Sequence, residues 1–251
     1  MDQEKHWNTI APSYEDEIFD VFNSDKNRIL PRYFKKHANK DHRAIDFGCG
    51  VGKAFPYLAP LFKEILALDI SAECLATARR RPFSNISFKR ADLSKKNLKL
   101  LPAEFAFCCN VIMLPEVEKN LVMFTNIQKA LKHRGHAVIV IPSFESIFYS
   151  SWQLIRMYEK EGVGVNDIPA TEFAYFKASK RDLVRGIMHI NGVPTKHYAQ
   201  PELEVLLKQA GLQITTLEKV EYDWNTEFDS PPAWMKDPYP WDWLVECRKI
   251  S

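Results

Sequence analysis

Four short, continuously apolar runs stand out in the first 141 residues, at residues 44–47, 65–69, 105–109 and 137–141. None of them alternates apolar with polar residues. Short runs of this kind are typical of strands that are buried on both faces of a parallel sheet. We therefore predict a strand at each run, and a fifth strand nearer a sheet edge at the weaker run 85–89.

The segments between these runs have the spacing of helices. Ser71 is suited to cap a helix that carries Leu75 and Ala78 and ends at three arginines, where positive charge meets the negative end of the helix dipole. Apolar residues at 117, 121, 124 and 131 mark a second helix. Strands that alternate with helices predict an open α/β sheet with right-handed crossovers.

Beyond residue 142 the sequence is rich in aromatic residues up to about residue 180. The dipeptide Asn191-Gly192 is the preferred two-residue turn of a hairpin, and Pro201 and Gly211 suit the first turn and the end of a helix. The predicted elements of this part are a helix at 150–160, hairpin strands at 183–190 and 193–198, a helix at 201–210, and strands at 212–220 and 243–247.

Composition limits the classes of protein that fit. The 251 residues are 46% hydrophobic, which is enough for a sizeable core, and 34 Lys and Arg against 32 Asp and Glu leave a net charge of only +2. This balance argues against a nucleic-acid partner. Apolar runs are too short for a membrane span, the polar start does not resemble a secretory signal, and five cysteines without a C-x-x-C pair predict reduced thiols in the cytoplasm.

A glycine-rich loop follows the first predicted strand, where residues 46–52 read DFGCGVG. Glycines there permit tight turns and let a ligand approach the main chain closely. A nicotinamide-nucleotide fingerprint would need its third glycine at Lys53, and no G-K-[ST] follows. The spacing therefore disfavours a nicotinamide-dependent reductase and a P-loop protein.

The loop, an acid that ends the second strand (Asp69) and Asp92-Leu93 after the third strand together resemble the motif set of class I S-adenosylmethionine-dependent methyltransferases. The resemblance covers residues 40–142 strongly and the rest more loosely. It implies a Rossmann-like α/β fold, with a mostly parallel seven-stranded sheet and helices on both faces. The expected single domain 1–251 divides into N-terminal lid helices (1–40), a cofactor-binding core (41–142), an inserted cap (143–199), and a C-terminal helix with closing strands (200–251).

The resemblance also implies a cofactor, S-adenosylmethionine, with S-adenosylhomocysteine as product. Asp69 would accept hydrogen bonds from the ribose hydroxyls, Asp92 from the adenine amino group, and Asp46 would help to anchor the amino group of the methionine part. Each acid has a plainer alternative as a helix cap or a solvated side chain. The full set of expected cofactor-binding residues is Trp7, Tyr14, Asp46, Gly48, Cys49, Gly50, Gly52, Asp69, Ile70, Asp92, Leu93 and Asn110.

The N-terminus supplies the two aromatic members of that set. Trp7, Ile10, Ala11 and Tyr14 are similar to the lead-in of many small-molecule methyltransferases, in which an N-terminal helix closes over the cofactor. The alternative is a surface helix whose aromatic residues dock on the core.

The acceptor is expected to be a small molecule. Residues 110–115 read NVIMLP and lack the N/D-P-P-Y/F motif of enzymes that methylate the amino groups of adenine or glutamine. Aromatic residues of the cap suit the wall of a small, partly apolar pocket, although they can equally pack the insertion onto the core. These residues are Phe144, Phe148, Tyr149, Trp152, Phe173, Tyr175 and Phe176.

Catalytic residues cannot be assigned from the sequence, because methyl transfer requires no invariant triad. His189, His197, Tyr149 and Glu116 are the candidates, with the two histidines facing each other across the hairpin. The histidine and cysteine spacings match no metal motif, so no metal site is expected. The rival functions are a catalytically silent member that binds or activates a partner, and an aminopropyl transferase, for which acids after the fourth strand are few.

Overall fold

A computed structural model describes residues 3–250, apart from the side chain of Asp16. Nine strands lie in this part of the chain. They are β1 Asn39–Phe47, β2 Phe62–Asp69, β3 Ile86–Arg90, β4 Ala103–Cys109, β5 Leu131–Pro142, β6 Ile187–Ile190, β7 Val193–Lys196, β8 Leu212–Glu221 and β9 Trp241–Lys249.

Seven of these strands form one sheet in the order β3-β2-β1-β4-β5-β9-β8. Strands β1 to β5 pair in parallel, and β9 runs antiparallel between β5 and β8. The mostly parallel seven-stranded sheet is therefore confirmed, and the weak fifth run is its edge strand β3. The strand order reverses between β1 and β4, and ligands of open α/β sheets bind at the carboxyl ends of strands beside such a switch point.

Helices of the described chain fall on both sides of the sheet and at its carboxyl edge. The α-helices are α1 Gln3–Ile10, α2 Tyr14–Glu17, α3 Val21–Ser24, α4 Ile29–Lys36, α5 Phe55–Leu58, α6 Ala72–Ala78, α7 Val117–Ala130, α8 Phe144–Lys160, α9 Lys180–Val184 and α10 Gln200–Gln209. Short 3₁₀ segments lie at Ala11–Ser13, Val165–Asp167, Ala170–Phe176 and Trp224–Thr226.

The continuous apolar runs are explained by burial on both faces of the sheet. On β5, Val138 and Val140 pack in a cluster with Phe34 of α4, whereas Ile139 packs in a second cluster with Phe124 of α7. Because neighbouring residues of a strand point to opposite faces, a strand covered on both sides needs apolar residues at consecutive positions.

Helix α8 begins earlier than the sequence predicts. The Ser143 hydroxyl accepts a hydrogen bond from the Ser146 backbone N–H at 3.0 Å, which caps the helix so that it starts at Phe144 rather than near residue 150. The aromatic residues at the start of the cap belong to this helix.

The predicted hairpin is present, and Asn191 and Gly192 form its turn with positive φ angles of 50° and 79°. Its first strand is shorter than predicted, because helix α9 occupies Lys180–Val184. The expectation that His189 and His197 face each other is wrong: the register places His189 opposite Pro194, and His197 lies beyond the end of β7.

None of the helices described for this chain is both long and apolar enough to cross a bilayer.

Candidate cofactor and acceptor site

The glycine loop turns sharply where β1 ends. Gly48 and Gly50 have positive φ angles of 73° and 53°, a region that side chains other than glycine rarely adopt. A Cβ on Gly48 would collide with the Val111 side chain, and one on Gly50 would lie 2.6 Å from the Tyr14 hydroxyl oxygen. These two positions require glycine because other parts of the site approach the main chain.

Asp69 connects this loop to the next helix. Its Oδ2 accepts a hydrogen bond from the Gly50 N–H and its Oδ1 accepts one from the Ser71 N–H, both at 2.8 Å. The carboxyl is 8% exposed, and burial raises its pKa. Each carboxylate oxygen still has acceptor capacity for a ligand hydroxyl.

A cavity of about 480 Å³ lies at the carboxyl ends of β1, β2 and β4. Nine of the twelve residues expected to bind the cofactor line it. They are Trp7, Tyr14, Gly48, Gly50, Asp69, Ile70, Asp92, Leu93 and Asn110.

Asp92 combines two of the roles considered for it. Its Oδ1 accepts hydrogen bonds from the Ser94 backbone N–H at 2.9 Å and from the Ser94 hydroxyl at 2.6 Å, which is a turn-capping arrangement. Its Oδ2 lies 3.9 Å from the Lys95 Nζ. Because Asp92 also lines this cavity of about 480 Å³, its role as a turn cap does not exclude contact with a ligand.

A second cavity of about 940 Å³ adjoins the first, and the two share lining residues that include Trp7, Tyr14, Gly48 and Asn110. Asp46 and Cys49 line only the larger cavity, and Gly52 lines neither. The three motif acids therefore line two adjoining spaces rather than one: Asp69 and Asp92 line the smaller cavity, and Asp46 lines the larger one.

One carboxylate oxygen of Asp46, at the larger cavity, lacks a hydrogen-bond partner in the described part of the chain. The residue is only 2% exposed, and its Oδ2 has no hydrogen-bond partner among the described residues. Burial, together with the nearby Asp69, raises the pKa of Asp46 to about 8. A buried acceptor without a donor fits a ligand that brings an N–H group, such as an amino acid moiety.

The N-terminal segment closes over both cavities. The rings of Trp7 and Tyr14 line each cavity, with ring centroids 6.3 Å apart. The Ser71 hydroxyl donates a hydrogen bond of 2.7 Å to the Asn8 Oδ1, which fixes helix α1 to the start of α6. Burial raises the pKa of Tyr14, so its hydroxyl stays protonated in this position.

One of the four candidate catalytic residues lies at the larger cavity. His197 lines it, and desolvation lowers the pKa of its ring to about 4. Its Nδ1 lies 3.2 Å from the Thr195 carbonyl oxygen, so a neutral ring donates from Nδ1 and has an unprotonated Nε2.

The other three candidates line neither cavity. The Tyr149 hydroxyl donates to the Pro238 carbonyl oxygen at 3.1 Å. Glu116 forms an ion pair of 2.9 Å with Lys119, and His189 is on the hairpin strand β6.

The aromatic wall of the larger cavity does not come from the cap. None of the seven aromatic residues of the predicted cap wall lines either cavity. The wall is supplied by the lid, by β4 and by the ends of β8 and β9 instead. Its aromatic members are Trp7, Tyr14, Phe19, Phe22, Phe107, Tyr222 and Trp241, the last of which lies at the start of β9.

Sequence reasoning missed Asp242, which lines the larger cavity. Its Oδ2 accepts hydrogen bonds from the Asn110 Nδ2 at 2.9 Å and from the Tyr222 hydroxyl at 2.8 Å. Burial raises its pKa. The available signal was an acid at the beginning of the last strand, since an antiparallel strand starts at the edge where parallel strands end.

Among the residues that the structure describes, His37, His136 and Glu246 are close enough to hold a metal ion. Their candidate ligand atoms lie within 4.8 Å of one another, away from both cavities. The Glu246 carboxylate already accepts hydrogen bonds from Lys36 at 2.7 Å and His37 at 2.6 Å. We interpret this cluster as a structural hydrogen-bond network.

A switch-point loop with three left-handed glycines, followed by an acid that ends the second strand, is the arrangement of a Rossmann-like protein with a nucleoside-cofactor site. Residues 44–135 match the family described as Methyltransferase domain. The chain is 32% identical over 75 residues to the Probable S-adenosylmethionine-dependent methyltransferase CRG1 of Saccharomyces cerevisiae. The matched residues make up 30% of this chain. The match spans about a fifth, 22%, of that relative's length.

Solved structures show the same fold over nearly the whole chain. A S-adenosylmethionine-dependent methyltransferase from Anabaena variabilis superposes with a TM-score of 0.64 at 13% identity, covering 99% of this chain and 96% of that one. The DhpI-SAM-HEP complex superposes with a TM-score of 0.62 at 17% identity, covering 98% of this chain and 95% of that one.

The chain therefore has the fold of the S-adenosylmethionine-dependent methyltransferases to which it is similar, and the family match covers residues 44–135 of it.

Proposed function

We propose that this chain transfers the methyl group of S-adenosylmethionine to a small molecule. The observation that carries the proposal is the junction of the two cavities at Gly48 and Asn110. The smaller cavity contains the residues expected to hold the adenosyl part, and the larger one offers separate space for an acceptor. Transfer requires the two partners to meet at such a junction.

The residues of the smaller cavity fit the cofactor. The Asp69 carboxylate has acceptor capacity for ribose hydroxyls, and Asp92 lines the same cavity as the apolar side chains of Ile70 and Leu93. The unpartnered Asp46 Oδ2 is suited to the amino group of the methionine part. When bound, S-adenosylmethionine supplies an electrophilic methyl group.

The chain then has to orient the acceptor and keep water out. Trp7 and Tyr14 cover the junction from the lid, and Val111 packs against Gly48 beneath it. Alignment of two reactants by such a framework contributes up to about 7–11 kcal/mol to lowering a reaction barrier.

A small acceptor is supported by dimensions and charge. A volume of about 940 Å³ lies in the range of ligand pockets, and the net charge of +2 provides little attraction for nucleic acid. The five cysteines are all free, which suits a reducing compartment such as the cytoplasm. Membrane and nucleic-acid partners are not part of the proposal.

The test pairs cofactor binding with turnover. Calorimetric titration with S-adenosylhomocysteine is expected to give saturable binding to the wild-type chain. Gly50→Ala is expected to weaken it about ten-fold or more, because the added Cβ meets the Tyr14 hydroxyl. Gly162→Ala is the matched control: Gly162 also has a positive φ, and its added Cβ would meet no atom within 4 Å.

Turnover is measured with S-adenosylmethionine labelled on the methyl group and a metabolite extract. Label in the small-molecule fraction supports the proposal, and label only in macromolecules contradicts the small acceptor. Cofactor binding without transfer to any fraction favours the silent, partner-binding alternative. Failure of the wild-type chain to bind S-adenosylhomocysteine at millimolar concentration contradicts the whole proposal.

A further inference from the structure

Four carboxyl groups that line the larger cavity take part in no ion pair of the described chain: Glu17, Asp46, Glu227 and Asp242. Asp242 lies beside Asn110, which also lines the smaller cavity. Asp242 therefore reaches the junction through its hydrogen bond to Asn110.

The cationic side chains that line the same cavity do not neutralise these acids. Lys53 is held by Asp20 at 3.0 Å and by Glu15 at 3.3 Å. His197 has a pKa lowered to about 4, so it is neutral at neutral pH. His6 packs on Trp7 in the lid, with ring centroids 5.3 Å apart. The unpaired groups on the acceptor side are consequently acids.

Hydrogen-bond acceptors are also in excess there. The Asn110 Oδ1 is buried without a hydrogen-bond donor, while the Asn110 Nδ2 is already used by Asp242. Tyr222 donates its hydroxyl to the same Asp242 oxygen. A ligand group that brings several N–H donors and a positive charge would satisfy these atoms, whereas a carboxylate would be repelled.

The walls suit a cation with an apolar body. Tyr222 and Trp241 lie beside Asp242, and Phe107 lines the same cavity next to Phe22 of the lid. Aromatic faces attract a cation and cover the apolar part of a ligand. A small amine with an aromatic or aliphatic group meets both requirements.

We infer that the methyl acceptor is a small amine whose nitrogen is bound by Asp242, with Glu227 as a second anionic contact. The inference rests on the proposed function. Asp46 is left to the cofactor's own amino group, because it lies in β1 two residues before Gly48 of the glycine loop. Asp242 is thus assigned as a substrate-binding residue on the acceptor side.

The assigned contact also suits the proton transfer that an amine requires. An ammonium acceptor gives one proton to the Asp242 carboxylate and keeps its electron pair on nitrogen. That pair forms the new nitrogen–carbon bond as the carbon–sulfur bond breaks, and the electrons of the broken bond stay on sulfur. No oxidant or reductant is needed. The raised pKa of Asp242 agrees with a role as proton acceptor.

The experiment compares three probes of matched shape on protein saturated with S-adenosylhomocysteine: phenethylamine, 2-phenylethanol and phenylacetate. Saturation fills the cofactor site, so the probes report on the acceptor side alone. We expect phenethylamine to bind about ten-fold or more tightly than the other two. The alcohol is the demanding comparison, since the unpartnered Trp241 Nε1 donor could favour a hydroxyl.

Asp242→Asn is expected to weaken phenethylamine binding about ten-fold while changing the affinity for 2-phenylethanol little. The amide oxygen can still accept from Asn110 and Tyr222, and unchanged S-adenosylhomocysteine affinity confirms an intact fold. Asp229→Asn, an exposed acid of the same C-terminal segment, is the matched control and is expected to change neither value.

The inference is overturned if phenethylamine does not bind, if the alcohol or the carboxylate binds as tightly, or if Asp242→Asn leaves amine binding unchanged. Each of these results leaves the proposed methyl transfer standing, provided that S-adenosylhomocysteine still binds. Loss of S-adenosylhomocysteine binding in the wild-type chain removes the proposed function itself.

Discussion

The Asp69 carboxylate both fixes the glycine loop and lines the smaller cavity. Its two oxygens hold the Gly50 and Ser71 backbone N–H groups, so the acid fixes the shape of the glycine loop and the start of α6. Because Asp69 also lines the smaller cavity, the remaining acceptor capacity of its two oxygens is available to a ligand there. Ligand affinity and loop geometry are therefore expected to depend on the same side chain.

Asp69→Ala is expected to weaken S-adenosylhomocysteine binding by about ten-fold or more, since a hydrogen bond to a charged group contributes about 1.5–3 kcal/mol. Asp69→Asn keeps one oxygen acceptor and is expected to lose less. Calorimetry gives both affinities, and Asp41→Ala, at an exposed residue of β1, is the control. Unchanged affinity in Asp69→Ala would mean that the ribose contact lies elsewhere.

The sequence was informative for residues that end parallel strands. Asp69 and Asp92 could be predicted as cavity residues from the family resemblance, because each matches a motif that ends or follows a predicted strand, and parallel strands end at one edge of the sheet. Asp242 could not, because its position depends on the antiparallel register of β9 against β5. Trp241, at the start of the same strand, also lines the larger cavity, and its position depends on the register of β9 against β8.

At the scale of elements, the lid and helix α6 are joined through one hydroxyl. Ser71 Oγ accepts from the Cys74 N–H at 3.0 Å as a helix cap, and it donates to the Asn8 Oδ1 of α1. Closure of the lid is thereby coupled to the cap of a helix whose first turn borders the cofactor site.

Two substitutions separate these contacts. Ser71→Ala removes the cap of α6 and also the hydrogen bond from Ser71 to Asn8, which we call the latch. It is therefore expected to lower the free energy of unfolding by about 1 kcal/mol and to weaken S-adenosylhomocysteine binding. Asn8→Ala leaves the Ser71 cap in place and removes the latch together with the long contact of 3.5 Å from the Glu73 backbone N–H to the Asn8 Oδ1, so it is expected to affect binding with a smaller change in stability. Urea unfolding and calorimetry measure the two quantities.

Thr9→Ala, which removes an exposed hydroxyl on α1, is the control for this pair. If Asn8→Ala destabilises the chain as much as Ser71→Ala does, the lid is part of the cooperative core and does not act as a separate latch.

Helices and strands with a clear period of apolar residues could be predicted from the sequence. Inside the insertion, 143–199, the predicted bounds were less accurate. The Ser71 cap and α10 follow their signals closely. In the insertion, Ser143 starts α8 early, because a serine hydroxyl that caps an amide outweighs the weak apolar period of the aromatic segment. Helix α9 shortens the first hairpin strand through a similar serine cap, Ser179.

At the scale of the whole molecule, Glu246 connects parts that are distant in sequence. This buried side chain of β9 accepts hydrogen bonds from Lys36 and His37 at the end of α4 and from the Thr216 hydroxyl of β8 at 2.9 Å. The network thus holds the N-terminal helices to the closing strands, and its residues line neither cavity. Its charge makes the fold sensitive to acid.

The sign of this sensitivity follows from the pKa of Glu246. Burial alone would raise it, but the hydrogen bonds from Lys36 and His37 lower it from 4.5 to about 2. The unfolded state therefore binds the proton more readily than the folded state does between those values. The stability that the carboxylate contributes is fully present above the unfolded pKa and is lost as pH falls from about 4.5 through about 2.

Glu246→Gln removes this titration, whereas other acids titrate equally in both proteins. Between pH 5 and pH 3 the wild-type chain is expected to lose about 1–2 kcal/mol more of its free energy of unfolding than the variant does. Urea unfolding at the two pH values measures the difference. Glu64→Gln is the control, because its carboxylate is exposed and its ion pair with Arg43 contributes little. Parallel losses in wild type and Glu246→Gln would show that the network is formed equally well by a neutral side chain, and that acid sensitivity arises elsewhere in the molecule.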